Sequence, residues 1–176
     1  MNVIPRPDQE EIRDNAAFEA LIGSLSRPGQ IHNLPEPGLR SAALALVDLE
    51  CAVFTDDPAL IPALARTGCR MEEPALADYL FLSGDPLTAA GSASVGSALH
   101  PEDGATLLLA ATLTGGPSLR LTGPGIETGI RIAPLVNPAL WSLRDACGPY
   151  PMGFDLFLVE NAQVIGLPRS THIEVL

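Results

Sequence analysis

The sequence contains no lysine: all ten of its basic side chains are arginine. Without lysine the chain forms no internal Schiff base with pyridoxal phosphate or a carbonyl substrate, and it has no Walker A phosphate lysine. Any anion it binds must be held by arginine forks, backbone N–H groups or hydroxyls. Cysteine is scarce too. Cys51, Cys69 and Cys147 are odd in number and far apart, with neither a CxxC pair nor a disulfide framework, so buried reduced thiols are expected. Histidine is limited to His32, His100 and His172 with no HxH or HExxH pattern, which leaves little to hold a metal. There is no GxSxG elbow and no GxGxxG turn between strand and helix. No apolar run reaches the roughly 18 residues of a membrane span. The opening MNVIPRPDQEEIRD mixes charge signs around two prolines, unlike a signal peptide, so a cytoplasmic location is expected.

At 176 residues a single domain is the default expectation. A net charge of −11 argues against nucleic acid as partner, since that interaction needs a basic stripe. Hydrophobic residues make up 47% of the chain and charged ones only 18%, so part of the surface is expected to be covered by another subunit.

Seventeen prolines and sixteen glycines cut the chain into short elements. A helix is expected within residues 14–26, with Asp14 as N-cap, Phe18, Leu21, Ile22 and Leu25 as its buried face, and Arg27-Pro28-Gly29 as its stop. Further helices are expected over 39–49, over 58–66 (Pro58 in the first turn, Gly68 after the last) and over 138–146. Strands are expected at 51–55, 79–82, 105–113, 119–122, 129–132, 154–159 and 173–176; the run ATLLLAATL suits a strand covered on both faces. Helices alternate with strands early and strands crowd the second half. The expected architecture is a three-layer α/β/α sandwich around a mixed sheet.

Candidate sites compete with plainer readings. The glycine-rich run from Gly115 to Gly125 brings backbone and Arg120 close to any phosphate, yet turns between strands explain it as well. Leu167-Pro168-Arg169-Ser170-Thr171-His172 gathers a guanidinium, two hydroxyls and an imidazole; it suits an oxyanion, or is a solvated loop before an edge strand. Arg27 either binds an anion or complements a helix dipole. Asp155 is the polar member of an otherwise apolar segment, and His100-Pro101-Glu102-Asp103-Gly104 reads as a solvated acidic turn.

The order of these segments carries more than any one of them. Phe18-x-x-Leu21-x-x-x-Leu25-Ser26-x-Pro28-Gly29-x-Ile31 comes first, followed by His100-Pro101-Glu102-x-Gly104-Ala105-Thr106. Leu119-Arg120-Leu121-Thr122-Gly123-x-Gly125-Ile126 and Tyr150-Pro151-Met152-Gly153-Phe154-Asp155-Leu156 come next, and Leu167-Pro168-Arg169-Ser170-Thr171-His172-x-Glu174-Val175 is last. In this order the sequence resembles the PhnH family, a subunit of the bacterial carbon–phosphorus lyase core complex. The resemblance implies a role in phosphonate use as a phosphorus source. With partner subunits, the family acts where an alkylphosphonate displaces adenine from ATP to give ribose 1-alkylphosphonate 5-triphosphate. Radical cleavage of the carbon–phosphorus bond belongs to another subunit. A homodimer, a fold similar to pyridoxal-phosphate-dependent transferases but without that cofactor, and no resident cofactor are also implied. ATP and alkylphosphonate are then substrates of the assembly. The resemblance transfers no catalytic residue. Arg27, Arg120, Thr122, Asp155, Arg169, Ser170, Thr171 and His172 are candidates for anion binding or subunit contact. Two readings follow: a mainly structural subunit, or direct binding of phosphonate or nucleotide through Arg120, Arg169 and His172.

Overall fold

A computed structural model describes residues 6–176, so the first five residues of the opening segment discussed above lie outside the described part. Helix α1 spans Gln9–Ser26 and is capped by Asp8 rather than Asp14. The Asp8 carboxylate accepts from the Glu11 amide at 2.8 Å, and the Glu11 carboxylate accepts from the Asp8 amide at 2.8 Å. This reciprocal box satisfies two of the free N–H groups at the helix start. Its signature, Asp8 followed three residues later by Glu11, is present in the sequence behind the prolines and charges that mask it.

The buried face of α1 also differs from expectation. Ala17, Ala20, Leu21 and Ser24 are buried and Leu25 half-buried, while Phe18 and Ile22 are about half exposed at 47% and 51%. The reason is how closely the helix approaches the sheet. A Cβ on Gly166 would stand 2.7 Å from the Ser24 carbonyl carbon and 2.8 Å from the Leu25 nitrogen. Backbone this close to backbone admits only small side chains between, so Phe18 and Ile22 turn to the flank while Leu21 keeps its expected place in the core.

Ten strands follow in two sheets. β1 (Ile31–Asn33), β2 (Ala52–Thr55), β3 (Arg70–Met71), β4 (Tyr79–Leu82), β5 (Thr106–Ala110), β8 (Asp155–Glu160) and β9 (Gln163–Leu167) form a seven-stranded mixed sheet in the order β1-β9-β8-β5-β4-β2-β3. The five from β8 to β3 are parallel; β9 returns antiparallel beside β8, and β1 antiparallel beside β9. β6 (Leu119–Thr122), β7 (Ile130–Ile132) and β10 (His172–Val175) form a separate antiparallel sheet, ordered β10-β6-β7. The remaining helices are α2 (Leu39–Leu46), α3 (Ile61–Thr67), α4 (Leu87–Ser92) and α5 (Ala139–Ala146).

Alternate residues of the central strands enter two cores. Val53, Phe81, Leu108 and Phe157 pack with Ala17, Leu21, Ala42, Ala43 and Leu64 of α1, α2 and α3. Leu80, Leu82, Leu107, Leu109, Leu156 and Leu158 pack on the other side. Their neighbours there come from α4 (Ala89, Ala90), α5 (Leu140, Trp141) and the small sheet (Leu119, Leu121, Ile173). The central strands are buried on both faces, as their unbroken apolar runs require. Unlike the expected arrangement, one side of the large sheet is covered partly by another sheet.

Several boundaries moved. α2 ends at Leu46, α3 begins at Ile61 with Pro62 rather than Pro58 in its first turn, and β5 is shorter than the run it sits in. Gly68 does end α3, with φ +80°. His172 begins β10 rather than lying in a loop, and the three cysteines are half-buried rather than buried. No helix among the described residues is long and apolar enough to cross a membrane.

Gly166→Ala should push α1 off the sheet and lower stability by about 1–3 kcal/mol. Glu19→Ala, on the exposed side of the same helix, should stay within about 0.5 kcal/mol. Thermal denaturation of both variants checks the pair; equal losses would refute the close-approach explanation.

Candidate functional site

The five segments that carry the resemblance meet in space. Arg169, on the turn between β9 and β10, joins three of them, the second, the fourth and the fifth. Its backbone N–H donates to Asp155 Oδ1 at 2.8 Å, and its Nη2 donates to Asp155 Oδ2 at 2.9 Å. Nε is shared between both oxygens at 3.4 and 3.3 Å. Nη1 donates to the Pro101 carbonyl and Nη2 to the Gly104 carbonyl at 3.2 Å. Only one of the five guanidinium N–H groups is left over. Both side chains are mostly buried, at 15% and 23% exposure, so the fork-to-carboxylate pair is only weakly screened.

The expected acidic turn at Pro101–Asp103 is therefore more than a solvated loop. Its exposed side chains include a His100–Glu102 contact at 3.2 Å, but two of its backbone carbonyls are anchored by Arg169. The Gly115–Gly125 run behaves as turns: Gly115, Gly123 and Gly125 all have positive φ. A Cβ on Gly123 would meet the Ser170 carbonyl at 2.9 Å, and one on Gly125 would run into the Ser26 carbonyl. These glycines let the third segment touch the fifth and the first. The first is tied to the residue just before the fifth by the Gly29 N–H donating to Gly166 O at 3.3 Å.

The other candidates separate into three groups. Arg120 and Thr122 lie on the outer face of the small sheet, with Thr122 opposite His172 and Arg120 opposite Glu174. Arg120 Nη1 contacts Glu174 Oε2 at 3.6 Å, both about half exposed, a pair of little energetic consequence. Arg27 is the exposed C-cap of α1, remote from that sheet's charged face in sequence and held by its backbone to Gly23 O. Arg169, Ser170, Thr171 and His172 line one cleft of about 220 Å3 together with Arg144, Asp145, Gly148 and Tyr150. Arg120 is not among its lining residues, so the expected convergence of Arg120 with Arg169 and His172 does not occur.

Arg144 is the residue that sequence reasoning missed. It lies on α5, where its Nη1 donates to Phe154 O at 2.7 Å and its Nη2 to Pro168 O at 2.6 Å, with the guanidinium carbon 5.7 Å from the Phe154 ring centre. Burial pushes the guanidinium down to about 10, opposed by the nearby Asp155 charge and reinforced by Arg169. A sequence signal existed: Arg144 falls four residues after the buried Leu140 and three after the buried Trp141, on the face that α5 turns inward.

A larger cleft of about 460 Å3 opens at the C-terminal ends of β4 and β5, lined by Gly84, Asp85, Pro86, Leu109, Ala110, Leu135, Val136 and Asn137. It holds a carboxylate and no basic side chain, so it does not suit a phosphate. Beside it, where the chain order reverses between β2 and β4, an open α/β sheet commonly binds its ligand. Here Asp56 fills that role internally, accepting from the Ser83 and Gly84 amides at 2.7 and 3.0 Å.

These features define a mixed-sheet α/β protein whose motif residues brace its own frame. The profile of the family described as "Bacterial phosphonate metabolism protein (PhnH)" matches residues 8–174, and the chain belongs to that family. It is 36% identical over 172 residues to HtxG of Stutzerimonas stutzeri, assigned as a C-P lyase subunit protein, covering 93% of this chain and 87% of the relative. It is 32% identical over 183 residues to the alpha-D-ribose 1-methylphosphonate 5-triphosphate synthase subunit PhnH of Rhizobium meliloti (strain 1021), covering 90% and 89%.

Asp155→Ala leaves a largely buried guanidinium without its counter-charge. It should cost roughly 3 kcal/mol, about 6–12 °C in Tm at this chain length. Arg120→Ala should move Tm by no more than about 4 °C, in keeping with about 0–1 kcal/mol for an exposed pair. Calorimetric scans decide; an unchanged Tm in the Asp155 variant would show that the pair braces nothing.

Proposed function

We propose that this chain is a subunit of the assembly that makes ribose 1-alkylphosphonate 5-triphosphate from ATP and an alkylphosphonate in phosphonate catabolism. Its part there is mainly structural, and the isolated chain is inactive. The observation that carries this reading is the Asp155–Arg169 junction: the charged residues of the fourth and fifth segments bind each other and the backbone of the second. Groups so committed hold a frame in place and have little left for a substrate. The names of the relatives supply the substrate class and the company of other subunits.

Pyridoxal phosphate has no part in this reading, because a chain without lysine cannot hold it as an internal Schiff base. The two cores on either side of the large sheet support a three-layer arrangement, similar to the pyridoxal-phosphate-dependent transferases with the cofactor chemistry lost. The chain acts as one domain, in the cytoplasm, as a homodimer joined to the other core subunits. Phe18 and Ile22 support an assembled state, since they sit one turn apart on α1, each about half exposed and left uncovered by the chain itself.

Co-expression with the other core subunits, followed by size-exclusion chromatography and an adenine-release assay with ATP and methylphosphonate, tests the reading. The chain should co-elute with its partners, release no adenine alone, and be required for release by the assembly. Adenine release by the isolated chain would overturn the structural role. Full activity of an assembly lacking the chain would overturn membership itself.

A further inference from the structure

The 220 Å3 cleft between the end of α5 and the turn entering β10 is built around an incomplete charge balance. Three described arginines lie off the fully exposed surface: Arg13, Arg144 and Arg169. Arg13 has Asp14 at 3.1 Å and Arg169 has Asp155 at 2.9 Å, whereas no carboxylate among the described residues lies within 4.0 Å of Arg144. A cation withdrawn from water is costly unless a counter-charge or a full set of acceptors compensates it. Arg144 has two carbonyl acceptors for five N–H groups, and burial lowers its proton affinity even though the Asp155 charge nearby opposes it.

A second observation is independent of charge. The hydroxyl of Thr171, in a residue only 5% exposed that borders the same cleft, has no hydrogen-bond partner. Buried hydroxyls are nearly always satisfied, so an unmade bond here calls for a missing group. Next to it stand the half-buried Ser170 and the exposed His172, both able to donate. Asp145, at the exposed rim, offsets part of the Arg144 charge. Whatever binds is therefore held by directed N–H and O–H donors more than by net charge, which favours a tetrahedral oxyanion over a halide. The volume lies below that of sites for drug-sized ligands, about 300 Å3 and upward, so it fits a single such group and not a whole nucleotide.

We infer that this cleft binds one phosphate or phosphonate group, held by the Arg144 guanidinium, the Ser170 and Thr171 hydroxyls and the His172 imidazole. Arg169 shapes the cleft wall but contributes little binding, because Asp155 and two carbonyls already occupy it. The inference does not rest on the subunit role, and its test needs only the isolated chain.

The test is an amide NMR titration of the full chain with inorganic phosphate, methylphosphonate, ATP and, at matched ionic strength, sodium chloride. Saturable shifts centred on Gly148 and the amides of Ser170, Thr171 and His172 are expected with phosphate and methylphosphonate but not with chloride. ATP producing the same shifts with its adenine protons unmoved also supports the site and assigns a nucleotide phosphate as one source of the group. Arg144 braces the fold, so the variant of choice is Ser170→Ala/His172→Ala, which should keep its Tm and bind about tenfold more weakly. Three results would each overturn the inference: no saturable shift at tens of millimolar, equal shifts with chloride, or unchanged affinity in the double variant.

Discussion

Two guanidinium groups fasten the C-terminal half of this chain at one point. Arg169 ties the turn before β10 to the Asp155 carboxylate and to the carbonyls of Pro101 and Gly104. Arg144 ties α5 to the carbonyls of Phe154 and Pro168. Four stretches of chain, two of them already neighbours through the β8–β9 ladder, are tied together by these few bonds. Each bond joins a charged donor to an acceptor shielded from water, where charge-assisted bonds are strongest. The small sheet and the entry to β8 take their positions from it.

The same junction explains why the motif segments belong together. Read along the sequence, Arg169 and Asp155 look like free polar groups waiting for a ligand, because nothing local shows that they face each other. In three dimensions they satisfy one another, and the glycines around them serve close backbone approach. Gly123 lies against Ser170, Gly125 against Ser26, and Gly166 against Ser24. A chain without lysine builds its internal ties from arginine, whose planar fork reaches two acceptors at once where an ammonium offers a point charge.

How much of this was legible beforehand follows from what each signal depends on. β4 and the core of β5 were legible because a strand buried on both faces must be apolar without a break, whereas β6 alternates buried Leu119 and Leu121 with the outward Arg120 and Thr122. α5 was legible from Leu140 and Trp141, and the end of α3 from Gly68. β9 was missed because QVIGL is short and contains a glycine, although Asn161, with φ +53°, marks the tight return from β8. α4, built from LTAAGS, has too little periodicity to announce itself. The buried face of α1 was misread because periodicity finds large apolar residues, while close packing on Gly166 selected small ones. Of the candidate site, Arg169 to His172 do line one cleft, but Arg120 and Arg27 do not, and Arg144 was hidden inside a helix. Which polar groups meet is a property of the tertiary fold, and no local pattern encodes it.

The central claim is that the motif charges hold a frame on which partner subunits depend, and do not themselves carry out the reaction. The most direct measurement is adenine release by purified assembly containing the Asp155→Asn chain, normalised to the amount of that chain incorporated. Thermal stability of the same assembly would be recorded alongside. The account predicts a lower Tm and reduced incorporation, with turnover per assembled complex close to that of the unaltered protein. Normal incorporation and normal Tm with a collapse in turnover would contradict it, and would place Asp155 in the chemistry.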